Sequence, residues 1–364
     1  MPELHVEPFT VEIPERTLSD LRERIRNSRW PPPSPEPSWA QGTELEYLRG
    51  LLGYWGDGFD WRAQERRLNE HPHYLADVDG LKVHFVHVRR GGTPLILTHG
   101  WPSTFVEHLQ LVPHLDGFDL VIPSLPGYGF SERPARTTMR ATARRWHALM
   151  RGLGYDRYGA QGGDFGAAVT AYMALDDPEP LLGIHVHQID TPPYVDAPAT
   201  AAEREYLEAV ARWDAVERGY SSIQSTKPQT VAYGLNDSPA GLAAWIVEKW
   251  RSWSHDLERI DRDVLLTNLT IFWATETIAT SMRDYYDQRW HGHTMGPHDR
   301  VMVPTAVALF ANELVSEGTP PREWAERLFD VVRWTPMPRG GHFAPAEEPE
   351  LLARDIAEFF RSLV

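Results

Sequence analysis

From residue 81 onward, short apolar runs alternate with amphipathic stretches. Lys82-Val83-His84-Phe85-Val86-His87-Val88 alternates side-chain character with period two, which predicts a strand. Pro94-Leu95-Ile96-Leu97-Thr98 is a short continuous apolar run, the signature of a strand buried on both faces. Further strand patterns cover 118–122, 157–161, 183–189, 303–310 and 330–335, with helical patterns at 138–151, 165–175, 321–328 and 347–363. Strands alternating with helices predict a mostly parallel sheet carrying helices on both faces. Between 195 and 290 the alternation stops: helix-like segments at 202–218, 239–254 and 262–287 occur with no clear strand, which reads as a helical cap inserted over one end of the sheet. Upstream, a first helix is predicted over 18–28, with Thr17 or Ser19 near its N-cap, ending before the rigid turn Trp30-Pro31-Pro32-Pro33-Ser34-Pro35. Residues 35–80 read as a meandering arm anchored by Trp39, Tyr54, Trp55, Phe59 and Trp61. The chain thus divides into an N-terminal arm (1–92), a first core part (93–194), the cap (195–290) and a second core part (291–364).

Composition narrows the function classes. The 364 residues carry a net charge of −15, which makes a polyanion such as nucleic acid a poor partner. Cysteine is absent, so disulfides, a thiolate nucleophile and Cys-ligated metals are excluded. No apolar run is long enough to span a membrane, and the acidic start lacks the apolar core of a secretory signal; a cytoplasmic setting is expected. Three of the 36 basic residues are lysine: Lys82, Lys227 and Lys249. Histidines two or three apart (His71/His73, His84/His87, His185/His187, His291/His293) lack acidic partners at ligand spacing, so no metal is expected. No phosphate loop or dinucleotide fingerprint occurs, and no cofactor is expected.

The chemistry concentrates at Tyr158-Gly159-Ala160-Gln161-Gly162-Gly163-Asp164-Phe165-Gly166, where a strand turns into a helix through glycines. This is the pattern of the G-x-S-x-G nucleophile elbow of α/β-hydrolases, with Asp164 at the serine position. An Asp before a helix is also an ordinary N-cap. Two further motifs favour catalysis, because the order in this fold is nucleophile, acid, histidine. Glu313 follows the predicted strand 303–310, and His342 stands in the glycine-rich Arg339-Gly340-Gly341-His342-Phe343 loop before the last helix. Thr98-His99-Gly100-Trp101-Pro102 follows an early strand. In this fold that loop supplies one oxyanion-hole amide and the residue after the nucleophile supplies the other, which assigns the N–H groups of Trp101 and Phe165.

A carboxylate at the elbow selects the reaction. Serine attacking saturated carbon would leave an ether; a carboxylate leaves an ester, which water activated by His342 hydrolyses at the Asp164 carbonyl. Glu313 would hold the His342 tautomer and stabilise the imidazolium. The reading is therefore displacement at saturated carbon: epoxide opening or carbon–halogen cleavage. An opening epoxide needs a proton, which a tyrosine hydroxyl supplies at neutral pH. Composition does not choose among the 13 tyrosines.

Together these motifs resemble the microsomal and juvenile-hormone type of epoxide hydrolase. The resemblance spans nearly the whole chain and includes Asp20-Leu21-Arg22-Glu23-Arg24, Arg29-Trp30-Pro31, Tyr54-Trp55, Asp60-Trp61-Arg62, Glu65, Leu68-Asn69, His99-Gly100-Trp101-Pro102, Gln161-Gly162-Gly163-Asp164, the 226–249 stretch and Gly340-Gly341-His342-Phe343. It implies an α/β-hydrolase fold and an Asp164–Glu313–His342 triad. It also implies that Tyr220 and Tyr285 hold the epoxide oxygen, Tyr285 standing two residues after Arg283 as in the family. Trp101, Pro102 and Phe165 are expected to contact the substrate, a small apolar or aryl epoxide. A homo-oligomer is compatible with the resemblance, as is a place in natural-product pathways. Phe165 stands where the family often has Trp, and Glu313 lacks the Pro that often precedes the acid. Haloalkane dehalogenase, sharing the Asp nucleophile, and a non-catalytic binding module of the same fold are the alternatives.

Overall fold

The computed structural model describes residues 4–189, 191–198, 200–313, 315 and 318–364. Nine strands form one sheet: β1 (Val6–Phe9), β2 (His73–Val78), β3 (Leu81–Val88), β4 (Thr93–Thr98), β5 (Phe118–Pro123), β6 (Tyr158–Gly162), β7 (Leu181–Val186), β8 (Val301–Leu309) and β9 (Phe329–Pro336). Their order is β1-β2-β3-β5-β4-β6-β7-β8-β9. The first three strands pair antiparallel, and β3 joins β5 antiparallel. From β5 to β9 every pairing is parallel. The parallel half is buried on both faces, which is why Leu95-Ile96-Leu97 and Leu120-Val121-Ile122 show no exposed surface.

Two strands escaped the sequence pattern. β1 is an edge strand containing Pro8, so its pairing comes from its neighbour rather than from its own alternation. β2 lies inside the stretch read as an irregular arm, which also holds helices Leu45–Gly53 and Trp61–Leu68. The first helix runs Glu15–Arg26 rather than 18–28. It starts at Pro14, whose ring pre-sets the turn, so Thr17 and Ser19 lie inside the helix and no side chain caps it. The long pattern 262–287 is two helices, Arg262–Thr275 and Ile278–His291, broken where Glu276 turns left-handed (φ 52°). The last pattern, 347–363, is the helix Pro349–Arg361, opened by Pro349 directly after the short helix Ala344–Glu347.

Helix Phe165–Asp176 is apolar on nearly every side, because it packs against β6 and β7 and against helix Met139–Gly152. Between β7 and β8 the described chain is helical: Ala201–Glu217, Gly219–Gln224, Pro228–Asp237, Pro239–Trp253, Arg262–Thr275 and Ile278–His291. Thr200 and Glu203 form a reciprocal capping box at the start of this insertion. The arm grips the insertion by polar contacts as well as packing. Trp55 Nε1 donates to Thr270 Oγ1 at 2.9 Å, Tyr54 hydroxyl to Asp263 at 2.8 Å, and Thr43 hydroxyl to the Ala244 carbonyl at 2.7 Å. Glu65 accepts from the Ile13 amide at 2.7 Å and the Trp61 indole at 3.0 Å, while the Asn69 amide bonds both backbone groups of Val11 at 2.9 Å. Among the described residues no helix is long and apolar enough to cross a membrane.

Candidate active site

The elbow forms because the sheet forces β6 and the following helix into close approach. A Cβ at Gly166 would sit 1.9 Å from the Thr98 carbonyl oxygen, so only glycine lets the helix start there. Asp164 between them adopts φ 52° and ψ −133°, a strained conformation for a side chain that is 7% exposed. Its amide donates to Gln188 Oε1 at 2.7 Å. Carboxylate atom Oδ1 accepts the Trp101 amide at 2.8 Å, and the Phe165 amide also donates to the carboxylate. Gly100 permits this, since a Cβ there would lie 2.3 Å from that same oxygen. The other atom, Oδ2, lies 3.6 Å from His342 Nε2.

The histidine is aimed by its neighbours. Its backbone amide donates to the Trp253 carbonyl at 2.8 Å, and its ring lies against Trp253 and Phe343 at 4.9 Å and 4.8 Å. Asn312 and Gly341 pair through a parallel bridge, which draws the next residues, Glu313 and His342, side by side. Glu313 Oε2 is 3.4 Å from His342 Nδ1. The Gln188 amide nitrogen lies 2.9 Å from the same Nδ1. Burial pulls the imidazole down, but the Glu313 hydrogen bond and the charges of Glu313, Asp164 and Glu107 outweigh it, so His342 stands above its ordinary value. Burial also raises Asp164, partly offset by His342 and the two amides.

A cavity of about 380 Å³ opens from Asp164. Phe165, Trp213, Phe310 and Tyr206 supply apolar wall, and Tyr220 and Tyr285 come from two different helices of the insertion. These two tyrosines are hydrogen-bonded to each other, with ring centres 5.9 Å apart. Burial, with Tyr220 and Asp164 adding, holds the Tyr285 phenol well above 10 and therefore protonated. Tyr286 points outward, 37% exposed, against Trp290 and His291.

Two residues expected at the substrate, Pro102 and Trp101, stand outside the lining of this cavity. Pro102 does not line the cavity, because the loop turns under the insertion there and its carbonyl accepts from Asn268 at 2.9 Å and from the Trp250 indole. The Trp101 ring is fully buried beneath the tyrosines, stacked on Tyr220 at 5.4 Å, and is likewise not cavity wall. Three polar residues at the site went unread. Gln188 ends the 183–189 strand pattern at the catalytic end of the sheet, which was the available signal. Glu107 lies behind Asp164 and His342, pushed up to about 7 by burial, and nothing in its sequence neighbourhood marks it. Lys249 is 5% exposed against Tyr220. The paired histidines go elsewhere: His84 bonds His73 and Ser124, and His185 pairs with Asp355.

Residues 6–108 match the family model described as epoxide hydrolase N terminus, and residues 93–221 match that of the alpha/beta hydrolase fold. Epoxide hydrolase 1 of Oryctolagus cuniculus is 35% identical, covering 97% of this chain and 88% of that protein. The crystal structure of juvenile hormone epoxide hydrolase from Bombyx mori superimposes with a TM-score of 0.87 at 30% identity, covering 99% of this chain and 96% of that one. The Aspergillus niger epoxide hydrolase structure gives a TM-score of 0.87 at 29% identity, covering 100% of this chain and 97% of that one.

Proposed function

The chain belongs to the epoxide hydrolases, with their α/β-hydrolase fold, and we propose that it opens its epoxide through an ester on Asp164. Asp164 Oδ2 attacks a ring carbon while the breaking C–O bond takes a proton from Tyr220 or Tyr285. His342 then removes a proton from water, which attacks the ester carbonyl carbon of Asp164. The negative charge that develops on Oδ1 is met by the amides of Trp101 and Phe165. Glu313 stabilises the imidazolium. Collapse releases a vicinal diol and restores the carboxylate. Residues 195–290 act as a cap that carries the proton donors, the arm 1–92 braces it, and the two core parts (93–194 and 291–364) carry the triad.

One observation carries this reading: a single carboxylate takes the Trp101 and Phe165 amides, with Oδ1 on Trp101 and Oδ2 beside an imidazole, facing a paired set of phenols. The apolar and aromatic wall supports an apolar or aryl epoxide as substrate. The tyrosines favour epoxide over halide, since halide leaves without a proton.

The test is His342→Gln with a single equivalent of an aryl epoxide. The protein mass should rise by one substrate and stay raised, and the adduct should map to Asp164. In wild type, single turnover in ¹⁸O-water should place label in the Asp164 carboxylate. An unlabelled carboxylate with labelled diol would show direct attack by water and overturn the ester route.

A further inference from the structure

We propose that Lys249 is a positioning residue for proton donation: its ammonium, seated against the Tyr220 ring, stabilises the tyrosinate formed when Tyr220 protonates the epoxide oxygen. The inference rests on the reading of Tyr220 as a proton donor.

Lys82 and Lys227 are exposed, and Lys249 is the chain's one buried lysine, in a protein that otherwise uses arginine. It sits on helix Pro239–Trp253 with Nζ 4.7 Å from the Tyr220 ring centre and 5.6 Å from that of Trp253. Glu248 lies 2.5 Å from Nζ and Glu217 3.9 Å. A lysine ammonium is a compact point charge, and over an aromatic face it is attracted to the ring's π density. That attraction strengthens when the ring carries a phenolate charge, so the contact favours the deprotonated form.

The two tyrosines are thereby made unequal. Tyr285 is buried with no cation over its ring among the described residues, and its phenol is held far up. Tyr220 has Lys249 against its ring and the Trp101 indole stacked on it. The charged groups around it are Lys249 and Glu248 from one helix, Glu217 and the Asp214–Arg218 pair from another, and Asp164 and Glu313 from the core. Asp164 opposes a tyrosinate until it is alkylated; Lys249 favours one throughout.

The proton balance closes within the cycle. As the Asp164 Oδ2–carbon bond forms, the carbon–oxygen bond of the epoxide breaks with its electron pair on oxygen, which takes the Tyr220 proton. Hydrolysis of the ester releases a proton as the Asp164 carboxylate reforms, and that proton restores the phenol. No other reactant is required.

The test is the alkaline limb of the single-turnover alkylation rate with styrene oxide, followed by tryptophan fluorescence. Lys249→Met should move that limb up by about one pH unit and slow alkylation roughly ten-fold, with ester hydrolysis unchanged. Lys249→Arg should restore the limb. Glu248→Gln, which leaves the ammonium less neutralised, should move the limb down, and it decides the matter if the methionine variant does not fold. A limb that stays put in Lys249→Met or Glu248→Gln overturns the inference, as does an arginine variant that behaves like the methionine one. Tyr220→Phe separates the two levels. If it alkylates at the wild-type rate, the proton-donor reading itself has failed; if it is slow while the lysine variants leave the limb fixed, only the present inference fails.

Discussion

At the scale of single residues, the site turns on which charges surround His342. The imidazole lies 3.6 Å from Asp164 and 3.4 Å from Glu313, and both carboxylates favour its protonated form. That form cannot act as a base. Alkylation resolves the conflict, because the Asp164 ester is neutral, and losing a unit charge at this separation is worth roughly 1 kcal/mol or more. His342 therefore becomes easier to deprotonate at the step where it must accept a proton from water. Glu313 keeps pulling the other way, in exchange for stabilising the imidazolium. Glu313→Gln should lower the pKa of His342 and move the acid limb of ester hydrolysis to lower pH, while its plateau falls roughly 10²- to 10⁴-fold. Single-turnover decay of the ester across pH measures both. A plateau that falls with the limb unmoved would mean that Glu313 acts only on ring orientation. Gln188 takes the Asp164 amide through Oε1, and its amide nitrogen competes with Glu313 for His342 Nδ1, since it can donate there only to a ring whose Nδ1 carries no proton.

At the scale of elements, the histidine loop hangs from the helical insertion as much as from the sheet. Glu347 accepts the Gly341 amide at 2.8 Å with one oxygen and the Asp256 amide at 2.8 Å with the other. The His342 amide reaches the Trp253 carbonyl, so one backbone bond and the two-sided Glu347 bridge join the loop to the end of helix Pro239–Trp253. Glu347→Gln puts an amide N–H against one of those donors. It should slow ester hydrolysis roughly 10- to 100-fold while alkylation, which uses Asp164 and the phenols, changes much less. Separate stopped-flow rates for the two steps check this, and equal loss in both would show general destabilisation instead. Such couplings are where sequence reading ran out. Strand β3 was legible from its period-two alternation, the buried parallel strand β4 from its continuous apolar run, and Asp164 and His342 from the glycines that frame them. The second core strand of the arm, β2, carries no comparable run, and β1 takes its pairing from β2. Glu347, Gln188 and Lys249 gain their roles from packing between segments distant in sequence, which no local pattern records. Pro102 shows the converse: its motif was plain, yet the chain path turns it into the interface with Asn268.

At the scale of the whole molecule, the core is stocked with neutral histidines. Burial pulls His73, His87 and His99 down to about 4 and His108 to about 3, and it holds His84 and His187 well below their ordinary value. In the unfolded chain each would take a proton near 6.5. Between those values the unfolded state binds more protons than the folded one, so stability rises with pH through this window and is lost as pH falls. A histidine held at about 4 contributes on the order of 3 kcal/mol across it, and the changes act together. Asp355 has the carboxylate form of the same dependence, lower down. Burial alone would raise it, but His185, Arg333 and Thr335 hold it at about 2, so its contribution is present above its ordinary value and disappears towards pH 2. The histidines therefore fail first. Scanning calorimetry should find the unfolding temperature nearly level above pH 7 and falling steeply between pH 6.5 and 4, before the Asp355 carboxylate is protonated. A flat profile down to pH 4.5 would mean that these histidines carry their protons in the folded state. The consequence reaches the site, because His99 abuts the Trp101 loop, with its ring accepting the Leu125 amide, and His187 packs behind Gly163. Protonating either ring would disturb the oxyanion amides and the elbow before the sheet as a whole gives way, so activity should decline with acid at a slightly higher pH than the global transition.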